Sequence, residues 1–201
     1  MRKRGKIAFA STVALLGLLT LGQGLYVPAK AQVAQWLLNR AWDQALISGD
    51  AQQPWPWADA LPVARLRWPE GGVDQIVLSN ASARGMAFGP GHVGGSAQPG
   101  QSGHVMLTAH RDTHFAFLGE VVTGDLLELE HTSGTSRYQV TGRQVIDVAL
   151  GSILLNPEHN QLTLVTCWPL DAWASGGSQR LLIHLQPAPS QRAALPQLTD
   201  A

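Results

Sequence analysis

After Lys30 the chain contains no lysine at all. Chemistry that needs a lysine nucleophile, a Schiff base or a phosphate-binding P-loop is therefore excluded from everything downstream. Cysteine is nearly as scarce, because Cys167 is the only one in 201 residues. A lone thiol cannot close an internal disulfide. No solenoid- or propeller-length period recurs along the chain, so repeat architectures are excluded. Disorder is excluded in turn by an apolar fraction of 45%, which is enough to bury one core with appendages around it. The formal net charge of zero hides an asymmetry: Arg2, Lys3, Arg4, Lys6 and Lys30 have no acidic counterpart in residues 1–30, which leaves a net −5 over residues 31–201. An acidic body repels phosphate, and no nucleic-acid partner is expected.

The N-terminus carries that basic cluster ahead of an uncharged run of 23 residues from Ile7 to Ala29. About 20 residues cross a bilayer as a helix, whereas the apolar part of a cleaved signal usually spans about 7 to 15. A retained signal anchor is the favoured reading; Ala29-Lys30-Ala31 offers a small-x-small site for the alternative, a removed signal peptide. Both place the basic flank in the cytoplasm and the rest of the chain outside it, so the expected location is the cell membrane, single-pass, with an extracytoplasmic domain. From Gln32 to Ile47, apolar residues at Val33, Trp36, Leu37, Ala41, Ala45 and Leu46 predict a juxtamembrane helix. Pro54, Pro56 and Pro62, with Trp55 and Trp57 among them, predict an extended linker whose indoles cover the flank of the folded domain.

Beyond Leu61 the pattern changes to short β-branched and leucine-rich runs punctuated by glycine and proline. Val63 to Trp68, Gln75 to Leu78, Val105 to Ala109, Leu126 to Glu130, Arg137 to Val148, Leu162 to Cys167 and Leu181 to Leu185 read as strands. Only brief helical stretches, Ser82 to Phe88 and Thr113 to Leu118, interrupt them. The expected fold class is all-β, a closed or nearly closed barrel. The division is 1–31 for the basic flank and transmembrane anchor, 32–60 for helix and linker, 61–186 for the barrel and 187–201 for a disordered tail. The glycine-rich stretch Gly89 to Gly95 follows no phosphate-loop pattern and reads as a flexible rim or lid.

A single cysteine in an exported domain is a buried spectator, an intermolecular linker or a nucleophile. Position favours the third: Leu162-Thr163-Leu164-Val165-Thr166-Cys167 reads as a strand that ends at the thiol, since Trp168-Pro169 follows. An unperturbed thiol is only about 3% thiolate at pH 7 and needs a proton-transfer partner. Of seven histidines, His110 ends the apolar run Val105 to Ala109, the same strand-end placement as Cys167. Arg180 opens the strand Leu181 to Leu185 and lies beside Cys167 if the two strands are neighbours, where it can steady an oxyanion. Thr166 contributes a hydroxyl or backbone donor there, or is merely a strand former; Trp168 lines a groove or packs in the core. Asp112 caps the helix starting at Thr113 or orients Arg111.

Thr163-Leu164-Val165-Thr166-Cys167, with Ala109-His110-Arg111-Asp112 upstream and Arg180 opening the last strand, resembles the sortases, the membrane-anchored cysteine transpeptidases of bacterial surfaces. Trp168-Pro169, His110-Arg111-Asp112-Thr113-His114-Phe115 and Trp55-Pro56-Trp57 are most similar to the sortase group of Gram-negative proteobacteria, which would make the extracytoplasmic side periplasmic. The resemblance implies an eight-stranded barrel whose catalytic residues are Cys167, His110 and Arg180, with Thr166 and Trp168 at the substrate. It also implies a protein substrate with a C-terminal LPxTG-like sorting signal, a thioester at Cys167 and transfer to an amine acceptor. The three catalytic side chains are expected to converge on one mouth of the barrel. No cofactor is expected. His114, four residues after His110, offers a metal reading with Cys167, but export, a single thiol and no carboxylate at matching spacing argue against it. Some sortases hold calcium on carboxylates, and the stretch from Gly85 to Arg111 has no Asp or Glu.

Rival functions fit less well. A papain-like protease places its cysteine before its histidine, and a serine hydrolase needs a G-x-S-x-G that neither Ser96 nor Ser175 supplies. An L,D-transpeptidase carries Ser-His-Gly-Cys-like residues, unlike Leu164-Val165-Thr166-Cys167-Trp168. An exported cysteine hydrolase of the same fold and a non-catalytic membrane-tethered binding module remain as alternatives.

Overall fold

The computed structural model describes residues 29–172 and 176–189, together with Gly17 and Tyr26. A helix, α1, occupies 29–48, and eight strands follow: β1 (Pro62–Trp68), β2 (Val73–Leu78), β3 (Gly91–His92), β4 (His104–Thr108), β5 (Leu126–His131), β6 (Gly134–Asp147), β7 (Gln161–Cys167) and β8 (Gln179–Pro187). They close into a barrel in the order β1-β2-β3-β4-β7-β8-β6-β5. The pairs β2/β3 and β4/β7 run parallel, and all other neighbours run antiparallel.

Alternation explains the closure. In β1 every second residue is buried, with Ala64, Leu66 and Trp68 facing inward and Arg65 and Arg67 outward. The interior adds Val105, Leu107, Leu129, Leu162, Leu164 and Ile183. Each such side chain removed from water contributes roughly 1.5–3 kcal/mol. A closed barrel also leaves no unpaired edge.

All seven strands expected from the sequence form, with ends shifted by at most three residues. The eighth, Gly91–His92, corrects the reading of that stretch as a flexible lid. Leu78 pairs with Gly91 and His92 pairs with Leu107, so this segment bridges β2 and β4. A Cβ at Gly91 would stand 2.4 Å from the Asn80 carbonyl oxygen, which is why only glycine fits. The two short helical stretches are 3₁₀ turns, Gly85–Ala87 and Ala116–Gly119. No side chain caps the second, so Asp112 does not play the capping role expected of it.

Helix α1 lies against the outer wall of β1 and β2. Its buried face is Ala34, Leu38, Ala41, Trp42 and Ala45, packed on Ala60, Ile76 and Leu78. Trp42 Nε1 donates to Glu130 Oε2 at 3.1 Å, and Arg65 bonds the Asn39 side chain. Of the apolar positions expected to define this helix, Val33 and Trp36 face solvent. In the segment that follows, Trp55 covers the flank as expected, edge-on to Phe88 at 5.3 Å, but Trp57 does not. Among the described residues no helix is long and apolar enough to cross a membrane; the anchor expected over Ile7 to Ala29 lies almost entirely outside them, as does most of the tail expected over 187–201.

Candidate active site

Three neighbouring strands, β4, β7 and β8, deliver the candidate residues to one place. Cys167 is paired directly with Arg180 across β7 and β8. On the other side Thr108 pairs with Val165, and the ladder runs one step further as Ala109 N–H donates to the Val165 carbonyl at 3.3 Å. His110 is the second residue beyond Thr108 and Cys167 the second beyond Val165, so the same register continued past the end of β4 would set the two side by side. Adjacent strands are about 4.8 Å apart, so the three backbones span roughly 10 Å.

Side-chain parity decides which face they share. Ala109, Leu164 and Leu181 belong to the barrel interior, whereas Met106, Val165 and Leu182 form a separate buried cluster on the outside. Cys167 and Arg180 have the parity of the second set. Cys167 and Arg180 therefore stand on the outer wall at the ends of β7 and β8. Below it the Met106, Val165 and Leu182 cluster is covered by Val93, Ile146 and Ile153, the last from the 148–160 segment between β6 and β7. Cys167 is half-buried and His110 is exposed, so both are accessible to a ligand.

Thr166 has the opposite parity. It is 1% exposed, and its hydroxyl donates to the Ala109 carbonyl at 2.8 Å. Its side chain thus ties the cysteine strand to the histidine strand and does not face a substrate. Trp168 likewise packs on the barrel interior, while its backbone N–H donates to the Gln179 carbonyl at 3.0 Å. Both placements follow from a period of two, since residues flanking an outward cysteine point inward, and of the two readings given for each they match strand former for Thr166 and core packing for Trp168. The Arg180 guanidinium is bonded through Nη1 to the carbonyls of Gly177 and Gln179, at 2.7 and 2.8 Å.

The sequence reading missed the brace between the two loops that flank the thiol. Arg111 Nη2 donates to the Ala172 carbonyl at 3.1 Å, across a separation of 61 residues that no local pattern signals. His114 lies close enough to His110 to feel its charge. Burial holds the His114 imidazole below the ordinary histidine range, a hydrogen bond to the Ala87 backbone pulls against this, and His110 adds a smaller depression. The Asp147 carboxyl is held below the carboxylate range, first by a hydrogen bond from Ser178, then by the Ala149 N–H and by the nearby charge of Arg180. Among the described residues no three His, Cys, Asp or Glu side chains are grouped as metal ligands.

Comparison with known proteins agrees with this geometry. A family model described as "Sortase domain" matches residues 66–188. Sortase D of Bacillus subtilis (strain 168) is 29% identical over 120 residues, which cover 59% of this chain and 60% of that protein. The chain thus matches rather less than two thirds of that relative's length. Among solved structures, sortase A from Corynebacterium diphtheriae superposes with a TM-score of 0.58 at 26% identity, covering 68% of this chain and 65% of that one. Streptococcus agalactiae sortase C1 in complex with MTSET gives 0.56 at 29% identity, covering 64% and 70%. With the family model matching residues 66–188, more than half of the chain and nearly the whole barrel, the chain belongs to the sortase family.

Proposed function

We propose that this sortase is a membrane-anchored transpeptidase that cleaves an LPxTG-like sorting signal through Cys167 and passes the acyl group to an amine. The observation that carries the reading is the pairing of Cys167 with Arg180 at the ends of β7 and β8, with His110 two residues beyond β4, the strand on the other side of β7. The Cys167 sulfur attacks the carbonyl carbon of the signal's threonine, and Arg180 leaves its loop carbonyls to donate to the oxygen that becomes anionic. The C–N bond then breaks as protonated His110 gives its proton to the departing glycine amine, leaving a thioester. An incoming amine attacks that thioester, His110 takes back a proton, and the thiolate departs.

The apolar part of the signal has a counterpart in the 148–160 segment, where Leu150 and Leu154 are exposed. The extracytoplasmic location rests on the basic flank and the Ile7 to Ala29 run, which ends where α1 is first described continuously. Trp168-Pro169, the His110 to Phe115 sequence and Trp55-Pro56-Trp57 support placement in the Gram-negative proteobacterial group, with the barrel in the periplasm.

The test is incubation of the full chain with peptides carrying varied sorting motifs. A covalent adduct on Cys167 by mass spectrometry, followed by ligated product when amines are supplied, is expected. Hydrolysed peptide alone would identify a hydrolase. No adduct with any motif, together with undiminished ligand binding and biological role in Cys167→Ala, would identify a binding module instead.

A further inference from the structure

A cavity of about 440 Å³ opens between the first continuously described turns of α1 and the segment that follows the helix. Leu37, Trp55, Trp57 and Phe88 supply apolar walls, and its charged lining consists of Lys30, Arg84 and Asp59. Apolar side chains around it are left in water: Trp57 is 81% exposed, Trp36 59% and Val33 57%. The Arg40 guanidinium lies 5.7 Å above the Trp36 ring. Residues 31–201 carry a net negative charge, yet cations predominate here. Exposed indoles interleaved with Lys and Arg match the chemistry of a bilayer's headgroup zone, where an amphipathic ring and a phosphate are both satisfied.

Position points the same way. The uncharged run ends at Ala29, and the helical residues that line the cavity begin at Lys30. At about 1.5 Å per residue, Lys30 to Leu37 lie within roughly 12 Å of the end of that run. We propose that this face docks on the anionic phospholipid leaflet that holds the N-terminal anchor, with Trp36 and Trp57 among the headgroups, Lys30 and Arg84 facing phosphates, and the cavity taking part of a lipid chain. This rests on the membrane-anchored reading above. Docking would orient the barrel, because Gln35 Nε2 of α1 donates to the Phe88 carbonyl at 2.7 Å and so fixes the helix to the segment leading into β3.

The experiment uses the full chain reconstituted in vesicles of phosphatidylcholine, alone or mixed with phosphatidylglycerol, with headgroup-proximal brominated lipid as quencher of tryptophan fluorescence. Carbonate-resistant flotation reads the anchor, and quenching reads the docking. Flotation of every variant is expected, with at least twofold stronger quenching in the anionic vesicles. That excess is expected to disappear in Trp36→Phe/Trp57→Phe and in Lys30→Gln/Arg84→Gln. Retained flotation with quenching that either pair leaves unchanged, or that is equal in the two lipids, overturns the docking face and leaves the anchor standing. Loss of flotation in the unaltered chain overturns the anchor and the docking together.

Discussion

Thr166 donates its buried hydroxyl to the carbonyl of Ala109 across 2.8 Å, and the residues that follow these two are Cys167 and His110. One hydrogen bond inside the barrel wall thus sets the spacing of two side chains outside it. Thr166→Val keeps the shape but leaves the Ala109 carbonyl unpaired, at about 1–3 kcal/mol. The expected result is a lower unfolding midpoint together with a fall in kcat larger than any change in KM, and recovery of both in Thr166→Ser. A kcat that stays at the wild-type value while stability falls would show that the bond is structural only.

Arg180 and His110 are exposed or half-exposed, so replacing them is expected to change rate without unfolding the barrel. Arg180→Gln is expected to lose about 10²–10³ in kcat as an oxyanion donor, and His110→Gln about 10²–10⁴ as the proton carrier. Thermal midpoints within a degree or two of the parent, alongside those losses in a ligation assay, would separate chemistry from folding.

A pH dependence is built into the other end of the same outer face. His104 Nδ1 accepts from the Asn156 N–H at 3.2 Å and from Gln161 Nε2 at 2.9 Å, so its proton is on Nε2, 2.8 Å from Thr163 Oγ1. Thr163 Oγ1 in turn lies 3.4 Å from His184 Nδ1. Burial lowers both imidazoles below the ordinary histidine value, with His184 adding to the effect on His104. The unfolded chain therefore binds protons first as pH falls from about 6.5. Stability is full above that pH and declines below it until the folded-state values are passed. Urea midpoints measured between pH 8 and 5 should fall on the acid side; a flat profile would contradict the neutral network.

The glycines of the β3 region should respond unequally. Gly91→Ala drives a Cβ to 2.4 Å from the Asn80 carbonyl oxygen, and Gly89→Ala does the same at the Ile76 carbonyl oxygen. Overpacking of this kind costs typically about 1–3 kcal/mol. Gly94→Ala meets nothing within 4 Å and should be close to neutral. Chemical denaturation of the three variants checks the contrast, and equal tolerance would restore the reading of this stretch as a mobile rim.

Seven strands and the order of histidine, cysteine and arginine were legible because alternation and strand-end placement are local properties of the chain. β3 was not, since two residues, Gly91 and His92, are too few to show a period. The face of α1 was misjudged for a related reason. Val33, Trp36, Leu37 and Leu46 are as apolar as the residues that are buried, and only the wall of β1 and β2 selects Leu38 and Trp42. Trp57 looked like Trp55 and found no comparable cover.

By itself the sequence determined the all-β class and the single thiol at a strand end, because these depend on composition and on patterns a few residues long. The tertiary structure decided what pairing between distant segments decides: that Thr166 holds Ala109 across 57 residues, that Cys167 stands opposite Arg180, and that these two catalytic candidates stand on the outer wall. Strand register has a period of two, and a shift of one residue would have turned the sulfur inward.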